Sequence, residues 1–283
     1  MAGRPVPKAL LWVLAVLITL ASAVYQRLSG PTYPLRASVT LAADEYRFRL
    51  TRTHEGSTDQ PIRLRIADPD VTGEVKWRRY PTDDAWQTLV MRRSGDWLET
   101  ALPNQPAAGK LEYQVRLQKG GDRAIVPERP AITRFKGVVS PYVLGPHILA
   151  MFLSMLVGTR AGLAALAGHD AKRFTYHAFG LLILGGFVLG PAVQKQAFDE
   201  WWAGVPYGWD LTDNKTLIAG LAWAWAVWAL ARRQASARLA VAVAAFATLA
   251  VFMIPHSVWG SEIKWDSAPP AGTATPAPGP GHP

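Results

Sequence analysis

The chain alternates long apolar stretches with polar stretches, and this spacing constrains its fold more than any other feature. One apolar stretch covers residues 9–25, and four more fill residues 141–258. These four lie at about Tyr142–Val157, Phe174–Val193, Leu217–Leu230 and Leu239–Ser257. About 20 apolar residues match the ~30 Å hydrocarbon core of a bilayer. The pattern therefore predicts a multi-domain membrane protein with five spans and one globular domain between the first two.

The same pattern divides the chain into four parts. We expect an N-terminal signal anchor at 1–30, an extracytoplasmic β-sandwich at 31–137, a four-helix transmembrane domain at 138–262 and a disordered tail at 263–283. The tail is rich in Pro, Ala and Gly and cannot bury a core. The run Ala21-Ser22-Ala23 resembles a signal-peptidase site, so cleavage there is an alternative. Because the apolar run continues to Tyr25, an uncleaved anchor is favoured.

The distribution of charge in the loops predicts the orientation. One set of loops holds eight basic residues and a single acid, Asp170. The basic residues are Arg4, Lys8, Arg160, Lys172, Arg173, Arg232, Arg233 and Arg238. Short loops rich in Lys and Arg stay in the cytoplasm. The N-terminus is therefore predicted to be cytoplasmic, with 31–137, the 194–215 loop and the C-terminal tail outside, as in a bacterial inner membrane.

The net charge of +9 first suggests a nucleic-acid partner, but the positions of the charges exclude it. Eight of the thirty basic residues determine topology, and most of the others are spread along predicted strands. The expected partners are the lipid bilayer and a protein bound through the outer domain. Cysteine is absent, which excludes disulfides, Cys-ligated metal sites, a thiol nucleophile and covalent haem attachment.

Residues 36–136 alternate between apolar and polar with a period of two, which is typical of half-buried strands. Examples are the runs at 46–51, 62–66 and 111–117, separated by Gly-, Pro- and Asp-rich turns. About seven short strands at this spacing predict an antiparallel β-sandwich. The arginines that alternate along them form either an anion-binding face or simply a solvated face, and the solvated face is favoured.

Two aromatic residues sharpen this prediction. Trp77 occupies the place of a core tryptophan, and Tyr113 lies in a late strand after a Pro-rich loop. The arrangement resembles fibronectin type III and Ig-like domains. This resemblance implies a binding or spacer module and identifies no ligand.

Two Pro-His steps stand out in the apolar region, Pro146-His147 and Pro255-His256. The predicted topology places both histidines near the outer ends of their spans. Two histidines at similar depth could ligate a b-type haem or a metal ion, and glycines of the third span could give a flat wall to such a cofactor. The alternatives are hydrogen bonding at the membrane interface for the histidines and close helix packing for the glycines.

The outer loop before the fourth span carries charges that could meet these histidines. Asp210, Asp213 and Lys215, with Glu262 from the C-terminal region, are predicted to form one polar cluster under the outer domain. Thr212 or Asp213 could instead cap a helix that begins near Asn214. Capping would explain Asp213 and leave Asp210 and Lys215 as candidate ligand-binding residues.

Four stretches together resemble a family of bacterial inner-membrane proteins without an assigned activity. They are residues 25–34, 190–195, 210–216 and 254–262. The resemblance implies the membrane architecture and supplies no mechanism. The chain shows no nucleophile elbow, phosphate-binding loop, His-Glu-x-x-His or dinucleotide motif. The leading function is therefore a non-catalytic binding or scaffolding protein, and the alternative is a haem- or metal-binding redox protein with His147 and His256 as ligands.

Overall fold

A computed structural model describes residues 6–255, 263 and 265. All ten strands in this part of the chain lie between Leu35 and Lys136, and its helices lie before and after them. The chain therefore combines one β-rich domain with a set of apolar helices.

The strands form three hydrogen-bonded sheets. Their bounds are β1 Leu35–Leu41, β2 Asp44–Leu50, β3 Thr53–Glu55, β4 Gln60–Arg65, β5 Thr72–Arg79, β6 Gln87–Val90, β7 Arg92–Ser94, β8 Trp97–Leu102, β9 Lys110–Lys119 and β10 Asp122–Lys136. The sheet orders are β3-β10-β9-β5-β6, β4-β8-β7 and the hairpin β1-β2. Side chains from all three sheets share one apolar core, as in a sandwich.

The alternating pattern of the sequence is confirmed by the burial of the strands. In β4, Ile62 and Leu64 are buried while Arg63 and Arg65 are exposed. Trp77 is 4% exposed and lies opposite the fully buried Tyr113 on the neighbouring strand. Some of the exposed arginines pair with acids, for example Arg63 with Glu99 at 2.6 Å, and others face solvent. This arrangement fits the solvated face that the sequence favoured.

The domain is not purely antiparallel, which corrects the sequence-based prediction. The short strand β3 pairs with the end of β10 in parallel, with Phe135 opposite His54. The pairing covers the edge of β10 and seats the His54 ring 5.7 Å from the Phe135 ring. Edge strands with unpaired backbone groups invite aggregation, so a short covering strand protects this edge.

Three of the helices are long and apolar enough to cross a membrane. They are α1 (Lys8–Ser29), α2 (Pro141–Leu166) and the continuous helical run Lys172–Phe198. This run consists of α3 (Lys172–Leu182), a π-helical turn (Ile183–Leu189) and α4 (Gly190–Phe198). Their composition agrees with a membrane protein.

The sequence predicted five spans, but the last two helices are not both long and apolar enough to count with the other three. Helix α6 (Ala237–Met253) is apolar but has 17 residues. Helix α5 (Leu211–Ala231) has 21 residues, but its first turn contains Asp213, Asn214 and Lys215. These polar residues lower its mean hydropathy, and so do tryptophans, whose indole N–H is polar.

Small residues let the helices after the β domain pack closely against one another. A Cβ atom on Gly158 would lie 2.8 Å from the Trp223 ring of α5, and one on Gly162 would overlap Ala245 of α6. The Trp223 indole N–H donates to the Thr248 hydroxyl at 2.8 Å, which links α5 to α6. Close backbone approach through glycine and alanine is typical of helices packed in lipid.

Helix α1 packs against α2 and α6. Its buried residues Leu11, Ala15, Thr19 and Ser22 lie on one stripe. At one end the His169 ring is 2.9 Å from the Val6 carbonyl, and at the other the Gln26 amide donates to the Phe252 carbonyl at 2.6 Å. Helix α1 is therefore part of the helical assembly along its whole length.

An arginine of α2 lies between two aromatic rings, near the end of the helices at which His169 contacts Val6. The guanidinium carbon of Arg160 is 4.7 Å from the centre of the Phe174 ring and 5.5 Å from that of Trp12. The residue is 3% exposed, and its Nε and Nη1 atoms have no hydrogen-bond partner among the described residues. Cation–π attraction therefore holds α1, α2 and α3 together at this point.

The β domain contacts the other end of the helices through backbone groups. The Gly137 N–H donates to the Ala197 carbonyl at 2.8 Å, and the Ser140 N–H donates to the Gln196 side chain at 2.7 Å. A side chain at Gly137 would collide with the Gln196 carbonyl. The junction is therefore closely packed, and position 137 requires glycine.

Candidate functional site

A polar cavity lies where the β domain, α2 and the helix ends nearest the β domain meet. Its volume is about 140 Å³, and we call it the polar cavity. The charged and polar side chains in its lining are Arg134, His147, Gln194, Asp210, Thr212, Asp213, Lys215 and Thr216. The structure thus brings together four of the six residues predicted as a cluster, beneath the β domain. The other two, His256 and Glu262, lie outside the described residues.

The two aspartates of the cavity have roles opposite to those expected. Helix α5 begins at Leu211, and Asp210 is its N-cap, with Oδ1 accepting from the N–H groups of Thr212 at 2.7 Å and Asp213 at 3.3 Å. The prediction that Thr212 or Asp213 caps a helix from Asn214 is wrong. The helix starts three residues earlier because an aspartate side chain reaches the free N–H groups two and three residues ahead.

Asp213 fastens the preceding loop to the helices. Its Oδ2 atom accepts from the Ala203 N–H at 2.6 Å and from the Gln194 amide at 3.0 Å. The side chain is 7% exposed. These bonds supply the donors that a buried carboxylate requires. Asp213 therefore has a structural role that also positions α4 against α5.

Lys215 is, with Arg134, one of two buried cations among the described residues that line the cavity. It is 2% exposed, and its ammonium donates to the Ile254 carbonyl at 2.7 Å, just past the end of α6. An ammonium has three N–H donors. Ile254 is its single hydrogen-bond acceptor among the residues that the structure describes. A buried charge with donors to spare is costly unless another group completes its shell.

His147 lies between the polar cavity and a second space. Its Nδ1 atom donates to the Gly185 carbonyl at 2.9 Å, within the π-helical turn. The same carbonyl also accepts the Gly190 N–H, so it holds two hydrogen bonds where the regular helical pattern is interrupted. Single π-helical turns occur frequently at functional sites.

The second space, which we call the apolar cavity, lies between α1, α2 and α6. Its volume is about 170 Å³. Its lining is Ser22, Ala23, Gln26, His147, Ile148, Met151, Phe152, Met155 and Phe252. His147, Met151 and Phe252 also line the polar cavity, so the two spaces share one wall.

The residues around His147 do not fit a haem. Both cavities are smaller than the roughly 300–1,000 Å³ of sites that enclose an organic ligand. The glycines expected to form a flat wall are covered, because a Cβ on Gly185 would lie 2.9 Å from the Met151 sulfur and one on Gly186 2.7 Å from Thr216 Cγ2. These glycines therefore allow close packing of the helices. In the described part of the chain no group of three or more His, Asp or Glu side chains could hold a metal ion.

Sequence reasoning missed three residues of the polar cavity. Gln194 orients Asp213, and the Phe198 ring stacks under the Arg134 guanidinium at 4.1 Å. In the sequence, Arg134 looks like any other arginine that alternates along a strand. No neighbouring residue indicates that this strand ends over the helices. Gln194 carried a weak signal, since an amide directly after an apolar span faces the membrane edge.

No protein-family model, curated protein or solved structure matches the chain. The arguments about function therefore rest on the geometry of the site and on the physical chemistry of its residues.

Proposed function

We propose that the chain is an integral protein of the bacterial inner membrane that acts as a non-catalytic binding or scaffolding protein. Its β domain, which resembles fibronectin type III domains, would lie in the periplasm and bind a protein partner. The junction at Gly137 carries this proposal. Backbone hydrogen bonds and the packed Gly137 hold the β domain in one orientation relative to the helices. A scaffold requires such a fixed orientation toward its partner.

The positions of the helix ends support the proposed orientation. Val6 contacts the loop that holds His169, and the Arg238 guanidinium is 3.4 Å from the Gly168 carbonyl. The basic loops expected in the cytoplasm therefore share one end of the molecule. The β domain and the acidic loop around Asp210 share the other. This separation fits a cytoplasmic N-terminus.

The packing of the helices also supports a four-helix transmembrane domain after the β domain, with an uncleaved anchor before it. Helix α6 packs against α2, and α5 packs against α3 and α6. A helix of 17 residues lies at the short end of the range that spans a bilayer. The buried stripe of α1 would be lost to the assembly if the signal peptide were cleaved.

Cysteine labelling tests the orientation, because the chain has no native cysteine. Single cysteines in place of Ser57 and Asp199 should react with an impermeant maleimide on spheroplasts. A cysteine in place of the exposed Ala235 should react only after lysis. Labelling of Ala235→Cys from outside would contradict the orientation and the depth of every site residue.

Limited proteolysis tests whether the β domain is held in place. Gly137→Val should expose the junction at 137–140 to protease in the full-length protein, because the new side chain cannot fit against Gln196. Gly121→Val is the matched control, since a Cβ there has no neighbour within 4 Å. Equal protection of both variants would show that the domain is merely tethered. A pull-down with the full-length protein as bait should lose its partner when Trp77→Ala destabilises the β domain, and an unchanged capture would contradict binding through this domain.

A further inference from the structure

We propose that the two adjoining cavities bind one phospholipid molecule of the outer leaflet. The phosphate group would lie at Lys215 in the polar cavity, and one acyl chain would lie in the apolar cavity. The inference rests on the proposed membrane orientation and gives the helical domain a ligand of its own, apart from the partner of the β domain.

The chemistry of the two cavities changes across their shared wall as it does along a phospholipid. The polar cavity contains Lys215, Arg134 and two aspartates. The apolar cavity is lined mainly by Ile, Met and Phe side chains. His147, Met151 and Phe252 stand between them. A ligand that fills both spaces must therefore be charged at one end and apolar at the other.

The depth of the cavities matches the outer leaflet. Lys215 lies in the second turn of α5, and Gln26 lies near the outer end of α1. From His147 to Met155 the lining of α2 extends about 12 Å along the helix, into the membrane. Ile148 and Phe152 are 44% and 42% exposed, so this cavity borders the helix surface that faces the acyl chains of the bilayer.

The hydrogen bonds of the polar cavity favour an anionic oxygen group as its ligand. Asp213 accepts from Ala203 and Gln194, and Asp210 accepts from two N–H groups of its own helix. Both carboxylates therefore already accept hydrogen bonds from the fold, and Asp210 also lies close enough to attract the Lys215 ammonium. Lys215 has donors that the described residues leave unused. A phosphate oxygen would complete the shell of this buried ammonium with a charge-assisted hydrogen bond.

The volume of the apolar cavity sets the size of what enters it. About 170 Å³ holds roughly six groups of water size, at ~30 Å³ each. One stretch of a flexible acyl chain fits this space, whereas a rigid ring system such as a haem does not. The remaining chain would continue along the exposed side chains of α2 into the bilayer.

A photoreactive lipid tests the proposal on the full-length protein. The probe is phosphatidylglycerol with a diazirine in one acyl chain, present in vesicles of phosphatidylethanolamine and phosphatidylglycerol that contain the reconstituted protein. Illumination should attach it to α1 and α2 near Ala23 and Met151, as read by peptide mass spectrometry. Ala23→Phe should fill the cavity and reduce this attachment about tenfold, whereas Ala21→Phe, an exposed neighbour on the same helix, should not.

The charge at Lys215 is tested in the same way. Lys215→Met should reduce attachment about tenfold, because a charge-assisted hydrogen bond is lost, and Lys215→Arg should restore it. Lys195→Met removes an exposed cation on the same side and should have no effect. Equal attachment in the Ala23→Phe, Lys215→Met and control proteins would overturn the proposal. Competition by excess inorganic phosphate would also overturn it, in favour of a soluble anion. Maleimide labelling of Ser57→Cys in the same vesicles reports separately on the proposed orientation.

Discussion

Tyr113→Phe is expected to destabilise the β domain by about 1–3 kcal/mol at neutral pH. The Tyr113 side chain is fully buried, and its hydroxyl donates to the Thr51 carbonyl at 2.8 Å. Phenylalanine keeps the ring and its contact with Trp77 but removes the donor. The expected loss is that of one buried hydrogen bond, with the higher figure applying if water cannot reach the Thr51 carbonyl.

The same substitution should change how stability depends on pH. Burial raises the pKa of Tyr113 above its ordinary value, so the folded domain holds this proton more tightly than the unfolded chain. Above pH 10 the unfolded chain loses the proton first, and folding stability falls by up to about 1.4 kcal/mol per pH unit. Below pH 10 both states keep the proton, and Tyr113 adds no pH dependence. Tyr113→Phe should therefore lose less stability than the natural sequence between pH 10 and 11.

Urea unfolding of residues 31–137, followed by tryptophan fluorescence, measures both effects. The apolar core of the domain contains only residues between Leu35 and Phe135, so we expect this segment to fold alone with a β-type circular dichroism spectrum. The difference in free energy of unfolding between the two proteins should shrink as the pH rises above 10. A constant difference across this range, or a neutral effect at pH 7, would refute the buried position of the hydroxyl.

Three further substitutions test other parts of the structure. Trp77→Ala should cost about 3–5 kcal/mol in the same urea experiment, and an unchanged midpoint would contradict its place in the core. Gly162→Ala should lower the thermal midpoint of the full-length protein in detergent, because its Cβ would overlap α6, while Gly145→Ala in open space should leave it equal or higher. Asp210→Ala should destabilise α5 by about 1 kcal/mol through loss of the N-cap, whereas Glu200→Ala at an exposed position should have a much smaller effect.

The β domain was largely predictable because its strands alternate strictly. Runs such as Ile62 to Ile66 have one arrangement that buries their apolar side, so the sequence determines both strand and face. The parallel pairing of β3 with β10 was not predictable, since a three-residue strand carries no period. The pairing depends on the position of the end of β10, and the whole sheet determines that position.

The candidate site was predictable as a group and not in its details. The asymmetry of loop charges placed His147, Asp210, Asp213 and Lys215 at the same membrane edge, and the structure brings them to one cavity. The roles of the two aspartates depend on a helix start that differs by three residues. Nothing in the sequence indicated the apolar cavity, because each of its lining residues in α1, α2 and α6 is of a type that is common in membrane helices.

The position of Arg160 between the Trp12 and Phe174 rings has a consequence for the order in which the helices insert into the membrane. Helix α1 is synthesised first, and in the proposed orientation about a hundred residues would be exported before α2, with Arg160, follows. An arginine costs about 2.5–3.5 kcal/mol on insertion at the middle of a span and less toward the end, where Arg160 lies. Trp12 is already in the membrane at that moment, so it offers the guanidinium a ring before Phe174 has been translated. The first helix would then serve as an insertion partner for the second, and replacing Trp12 with leucine should slow the integration of α2 although α1 itself becomes more apolar.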